Sequence, residues 1–310
     1  MPKIKLSVIA PVCNEESCIL EFYKRLEPVM HNMGHDFEII FVNDGSKDRS
    51  LAILKELRQN DPHVKILSFS RNFGHQIAVK AGIDAAQGDA VIMIDSDLQD
   101  PPEVIPQLVT KWQEGYDVVN TVHAERKGDS FLKRIAATLF YRLIKSISNV
   151  DLPLEAGDFK LISRAVASEL KQLTERNLYL RGLTSWLGFK QGEIQIKRSP
   201  RFAGRTKYST RKMLQLAWNG ITHFSFLPLQ ISTYLGFATL LVSLTWIFRS
   251  LYVHFVLRIT VPGWTSLMVA VLLLGSVQLI TLGILGSYVA HNYDEVRSRP
   301  LYVIQEKEGF

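Results

Sequence analysis

Two stretches in the last third of the chain, 226–248 and 264–290, contain no charged residue. Each is longer than the roughly 20 residues that an α-helix needs to cross the apolar core of a bilayer. A helix that is apolar on every face needs lipid or a much larger protein around it. The chain therefore reads as a soluble part followed by a two-helix membrane hairpin. Arg198, Arg201, Arg205, Lys207, Arg211 and Lys212 precede the first span, and Arg297 and Arg299 follow the second. Only Arg249 and Arg258 lie between the spans, so the positive-inside bias puts both termini of a multi-pass membrane protein in the cytoplasm.

The remaining sequence supports a separate cytoplasmic domain over 1–207. Most of the charge lies before Lys212, and the net charge of +6 suits an anionic surface or substrate, with no nucleic acid expected. Cys13 and Cys18 fit no zinc spacing and read as reduced thiols. Short apolar runs at 5–12, 37–42, 64–69, 90–94 and 117–122 alternate with helical patterns at 16–30, 46–59, 74–87 and 102–114. Ser46 is placed to cap the second of these helices. The strands are apolar on both faces, as in a mainly parallel sheet covered by helices on both sides. Two amphipathic segments read as interfacial. The stretch 131–148 sets Phe131, Ile135, Leu139, Leu143 and Ile147 opposite Lys133, Arg134, Arg142 and Lys145; a core-facing helix with a basic outer face has the same pattern. The stretch 208–225 leads into the first span. The tail, 292–310, is expected to be cytoplasmic.

In a sheet of this kind, ligands bind beyond the carboxyl ends of the strands, and polar motifs fall at three of those ends. Asp95-Ser96-Asp97 follows the fourth strand; two carboxylates at i and i+2 can share a hard divalent cation whose other positions hold diphosphate oxygens, or they can be solvated acids of a turn. Asn43-Asp44-Gly45-Ser46 follows the second strand, and Asp44 suits a ribose hydroxyl or base imide as well as it suits a tight turn. Pro11-Val12-Cys13-Asn14-Glu15-Glu16 ends the first strand. The Gly-x-Gly-x-x-Gly of dinucleotide enzymes is missing there, which argues against a dehydrogenase.

Taken together, Pro11-Val12-Cys13-Asn14-Glu15-Glu16, Asn43-Asp44-Gly45-Ser46, Ser70-Arg71-Asn72-Phe73-Gly74 and Asp95-Ser96-Asp97-Leu98-Gln99-Asp100-Pro101-Pro102 resemble the family 2 glycosyltransferases of GT-A fold. Gly157-Asp158-Phe159-Lys160-Leu161, Glu175-Arg176-Asn177-Leu178 and 201–208 narrow the resemblance to the polyprenyl-phosphate enzymes, especially bactoprenol glucosyltransferases, over essentially the whole chain. The resemblance implies a GT-A Rossmann-like α/β domain with a C-terminal transmembrane hairpin. It implies a donor nucleotide site at Pro11, Asn14, Glu15, Asp44, Ser46, Asp95 and Ser96. Mg²⁺ or Mn²⁺ would sit on Asp95 and Asp97, with Asp97 and Asp158 as catalytic carboxylates. Arg201, Lys207 and Lys160 would contact phosphate of donor or acceptor, and Gln99 and Asp100 would line the sugar pocket or support the metal loop. Asp158 is open between general base and positioning group. Lys160 stands where the family has arginine, keeping the charge without the bidentate fork, and Cys13 stands where an aromatic residue is common.

The implied reaction is inverting transfer of a sugar from a nucleotide-sugar to undecaprenyl or polyprenyl phosphate. Glucose from UDP-glucose is the first choice, with UDP-N-acetylglucosamine, UDP-galactose and GDP-mannose open. The product would serve cell-envelope glycan modification, lipopolysaccharide O-antigen included. A lipid-sugar flippase and a second glycosyltransferase would act downstream, and a homo-oligomer is left open. A processive polysaccharide synthase would carry Gln-x-x-Arg-Trp and more spans, neither of which is found, and the full set of acidic motifs argues against a non-enzymatic scaffold.

Overall fold

The computed structural model describes residues 4–123, 156–175, 178–196, 227–256 and 263–310. The stretches 131–148 and 208–225, together with Arg201 and Lys207, lie outside the described residues. The described chain divides into two compact units: one holds the mixed sheet and takes in 299–310, and the other spans Tyr208–Ser298.

The sheet is built first from β1 (Lys5–Val12), β2 (Asp36–Asn43), β3 (Val64–Phe69) and β4 (Ala90–Met93), all parallel, in the order β4-β1-β2-β3. Their side chains are buried on both faces, which is why the runs show no polar alternation. Val8 and Ala10 point to one core, under α1 (Ile19–Asn32), α2 (Ser50–Asn60) and α4 (Ile105–Gln113). Ile9 points to the other, under α3 (His75–Ala85) and two later helices, α5 (Arg164–Gln172) and α6 (Leu180–Trp186). Helix α1 shows the underlying logic: Ile19, Phe22, Leu26 and Met30 recur at helical spacing and are all buried.

Several elements depart from expectation. Helix α2 starts at Ser50 and not at a Ser46 cap; its first N–H donates to Asp48 Oδ1 (3.0 Å), while Ser46 Oγ accepts from the Asn14 N–H (3.0 Å) across the strand ends. Beyond the expected strand β5 (Val118–His123) come β6 (Ala156–Ser163) and β7 (Gln191–Ile196), giving the order β7-β5-β6-β4 on that side. Strand β6 is antiparallel to both of its neighbours, so it begins at the edge of the sheet where β4 ends. Within the stretch 292–310, β8 (Ile304–Glu308) pairs antiparallel with β3 and closes the far edge of the sheet.

The second unit holds α7 (Leu227–Phe255) and α8 (Trp264–Val296). Within them, Ser232–Val253 and Leu273–Val296 are long and apolar enough to cross a membrane. Large apolar side chains such as Phe237, Leu241, Leu279 and Leu282 are more than half exposed, as expected of helices solvated by lipid.

Candidate active site

Strands β1, β2 and β4 deliver their motifs to one edge. Ser96 Oγ donates to the Pro11 carbonyl (2.9 Å), locking the end of β4 to that of β1. The Asp44 N–H donates to the Val12 carbonyl (2.8 Å), locking β2 to β1. Asn14 turns the chain with φ +55°, a conformation asparagine tolerates. Its side-chain oxygen accepts from the Lys47 N–H (2.8 Å), while the Glu15 N–H donates to Ser50 Oγ (3.0 Å).

Asp44 is 2% exposed, and its carboxylate grips the loop 70–74: Phe73 N–H donates to Oδ1 (2.6 Å) and Gly74 N–H to Oδ2 (3.0 Å). Asn72 Nδ2 bridges the Asp44 carbonyl (3.3 Å) and Cys13 Sγ (3.2 Å). Glycine is required at position 45, where φ is +61° and an added Cβ would lie 2.4 Å from the Arg71 carbonyl carbon. The direct partners of Asp44 are therefore backbone amides, and any nucleoside would meet a loop that Asp44 has shaped.

At the end of β4, Asp95 is partly exposed and Asp97 is buried. Asp97 Oδ1 accepts from the Gln99 N–H (3.1 Å), a local turn that forces Leu98 to φ +62°, and buried Leu98 anchors that turn in the core. Gln99 is half-buried and Asp100 is buried behind it. Among the described residues, no group of three or more metal-binding side chains occurs. Two carboxylates at one strand end still suit a hard cation that takes its remaining oxygens from a diphosphate and water.

Antiparallel β6 adds the next carboxylate. Its ladder pairs Met93 with Lys160, and the same register carried two residues further sets Asp158 level with Asp95. Asp158 makes a bidentate pair with Arg181 on α6, Nε to Oδ1 and Nη2 to Oδ2, both 2.8 Å. Burial alone would raise the Asp158 carboxyl, but the hydrogen bonds and charge of Arg181, with His75 and Lys160 behind them, bring it down to about 2. His75, the first residue of α3, holds Asp95 Oδ1 through Nε2 (2.7 Å). Crowding by protein works against a charged imidazole there; the Asp95 carboxylate outweighs it, Asp158 adds to it, and the ring rises to about 9.

Lys160, expected to face a phosphate, is placed differently. It is 2% exposed, its ammonium has no hydrogen-bond partner among the described residues, and burial lowers it to about 8 against the pull of Asp158. Its position on a central strand of the sheet explains this: the side chain acts on Asp158 by charge from beneath. Arg181 and His75 were missed by sequence reasoning. The one available signal was adjacency: His75 directly follows the 70–74 motif, and Arg181 follows the motif at 175–178.

The site thus alternates carboxylates with cations at one sheet edge, an arrangement suited to holding a polyanion in a fixed orientation. Residues 7–171 match the family described as Glycosyl transferase family 2. An uncharacterized glycosyltransferase of Bacillus subtilis is 47% identical over 99% of this chain and 95% of its own length. A prophage bactoprenol glucosyl transferase homolog of Escherichia coli is 43% identical, covering 97% of this chain and 99% of that one. The bactoprenol glucosyl transferase of Shigella phage SfV is also 43% identical, over 98% and 99%. Among solved structures, the mannosyl-3-phosphoglycerate synthase of Rubrobacter xylanophilus shares the fold, with a TM-score of 0.50 at 14% identity over 71% of this chain and 72% of that one.

Proposed function

This chain belongs to glycosyl transferase family 2, and on that premise we propose that it moves glucose from UDP-glucose to undecaprenyl phosphate with inversion, at the cytoplasmic face of a membrane. That it is a glycosyltransferase acting with a nucleotide-sugar and a polyprenyl phosphate follows from its relatives over nearly its whole length. The observation that carries charge-assisted transfer at this site is the arrangement of Asp95, Asp97 and Asp158 at one sheet edge, with His75 paired to Asp95 and Arg181 to Asp158. The choice of glucose is supported by the relatives named as bactoprenol glucosyl transferases.

In this reaction a phosphate oxygen of the lipid attacks the anomeric carbon as the bond from that carbon to the nucleoside diphosphate breaks. The bonding electrons leave on the diphosphate oxygen, and the α-linked donor becomes a β-linked product. A Mg²⁺ or Mn²⁺ ion held by Asp95 and Asp97 would offset charge building on the leaving group. The acceptor needs little help with its proton, since a phosphate monoester with a second pKa near 6 is mostly dianionic at neutral pH. A carboxylate held near 2 in a bidentate arginine pair is a weak base, which supports a positioning role for Asp158. In that role Asp158 fixes the orientation of the Arg181 guanidinium, whose positive charge would favour an incoming phosphate.

Membrane topology is part of the proposal. Strand β8 lies in the same sheet as β1 to β7, which supports a topology with the residues on either side of α7 and α8 on one side of the bilayer. An even number of crossings would satisfy this, and α7 and α8 are long and apolar enough to provide two. The deciding experiment incubates membranes bearing the protein with undecaprenyl phosphate and labelled UDP-glucose, UDP-N-acetylglucosamine, UDP-galactose and GDP-mannose. UDP-glucose should give a labelled lipid with a β linkage. Transfer from another donor alone would refute the sugar, and transfer from none of them would refute the reaction.

A further inference from the structure

The segment 299–310, part of the expected cytoplasmic tail 292–310, enters the sheet at one defined place. Strand β8 pairs along β3, with Ile66 opposite Glu308 and Phe69 opposite Ile304, and Lys55 of α2 holds Glu306 at the edge. The ladder does not end with β3. It runs one residue further, where the Ser70 N–H donates to the Val303 carbonyl (3.0 Å). Ser70 begins the loop 70–74 that Asp44 grips. The register shifts between Ser68 and Phe69, where β8 carries one extra residue, Gln305, against β3.

Tyr302 sits where this ladder meets the loop. Its ring stacks on Phe69 (5.1 Å between centroids, planes 19° apart). Phe69 in turn meets Phe73 edge-on (5.6 Å), and the Arg71 guanidinium covers the Phe73 ring at 4.0 Å. The Tyr302 hydroxyl reaches the other way and donates to Asp84 Oδ2 (3.0 Å) on the last turn of α3. One side chain therefore braces both the loop before α3 and the far end of that helix. The loop carries the amides that Asp44 holds, and α3 carries at its first position the histidine that holds Asp95.

We propose that Tyr302 is a positioning residue for the nucleotide half of the donor, setting the backbone of 72–74 and the start of α3 through Phe69, Phe73 and Asp84. The inference rests on the donor site lying at Asp44 and Asp95. Aromatic pairs carry directional preference as well as buried area, so losing the ring should let the loop relax away from β2. A part whose only task is to close a sheet edge would affect stability and the active fraction, leaving donor affinity alone.

The test uses the full-length protein in membranes or detergent, with UDP-glucose and undecaprenyl phosphate as substrates and UDP or GDP as binding probes. Tyr302→Ala should raise the KM for UDP-glucose and the Kd for UDP roughly five- to twenty-fold, below the ~10²-fold that a misplacement of about 1 Å can cost. The KM for undecaprenyl phosphate should stay within about two-fold in the same comparison, since the Tyr302 contacts do not include Asp158 or Arg181. Tyr302→Phe keeps the stack and should restore most of the donor affinity. Should Tyr302→Ala not fold, Tyr302→Leu keeps apolar bulk against Phe69 without the stack and carries the same expectation. Unchanged donor KM and Kd with a lower kcat, or equal rises for both substrates, would overturn the proposal. A wild-type enzyme that transfers nothing from UDP-glucose would instead fail the donor assignment, and the UDP and GDP binding arms would still judge Tyr302.

Discussion

Replacing Asp158 with asparagine separates the two roles open to this carboxylate. Holding its carboxyl near 2 against an ordinary 3.8 corresponds to about 2 kcal/mol of pairing. Asp158 and Arg181 are 31% and 33% exposed, so solvent screening reduces this to about 1 kcal/mol. Because the folded value is depressed, the contribution is fully present above pH ~4 and is lost only as the pH falls through about 2. Between pH 5.5 and 7.5 the wild-type carboxylate is therefore constantly ionised. Asp158→Asn should then lower the thermal midpoint by only about 2–4 °C, leaving a folded enzyme to assay. Loss of the group that orients Arg181 should cost on the order of 10²-fold in transfer. The assay is the initial rate at saturating donor for mutant and wild type across that pH range, with acceptor KM measured at each end. Positioning predicts a constant ratio of rates and a raised acceptor KM. A mutant that is crippled at pH 5.5 and approaches the wild-type rate at pH 7.5, as the acceptor loses its own proton, would refute positioning and establish the base.

Asp97→Asn, and more weakly Asp95→Asn, should abolish transfer with expression intact, and wild-type activity should vanish in EDTA and return with Mg²⁺ or Mn²⁺; activity that survives chelation would contradict the metal site. Gly45→Ala must place a Cβ 2.4 Å from the Arg71 carbonyl carbon at φ +61°; it should cost about 1–3 kcal/mol and weaken UDP binding in calorimetry, and wild-type affinity would count against the Asp44 loop as donor site. Lys160→Met should raise the thermal midpoint at pH 7, because holding a buried ammonium at about 8 in place of 10.5 costs about 3 kcal/mol. For the same reason wild-type stability should gain from this group between pH ~8 and ~10, where the unfolded chain binds the extra proton; a midpoint unmoved by the substitution would contradict the buried charge. In a background lacking Cys13 and Cys18, a cysteine placed near Gly263 should react with an impermeant reagent from outside and one at Ser298 should not; labelling at Ser298 would break the two-span arrangement.

Features with a local cause were legible in the sequence. The apolar spans, strands β1 to β5 and the placement of Asp44 and Asp95 at strand ends follow from periodicity, burial on both faces and turn residues, each readable within a short window. Ser46 misled because Ser, Asp and Asn cap helices and bridge loops by the same hydrogen bonds; Asn14, brought in by β1, decided which. Strand β6 was invisible because Gly157, Asp158 and Lys160 interrupt its apolar pattern, and only pairing between β4 and β5 makes it a strand. Strand β8 is charged for the complementary reason: as an edge strand it needs one partner and no second buried face. The pairing of His75 and Arg181 with the acids came from tertiary structure alone. Arg181 meets Asp158 across 23 residues and His75 meets Asp95 across 20, and the Tyr302–Asp84 bond spans 218. Contacts between side chains so far apart leave no periodic trace along the chain. Sequence therefore determined that Asp44, Asp95 and Asp97 would stand at strand ends, and folding decided that Asp158 and the paired cations would join them, because an ion pair depends on distance in space and a motif on distance along the chain.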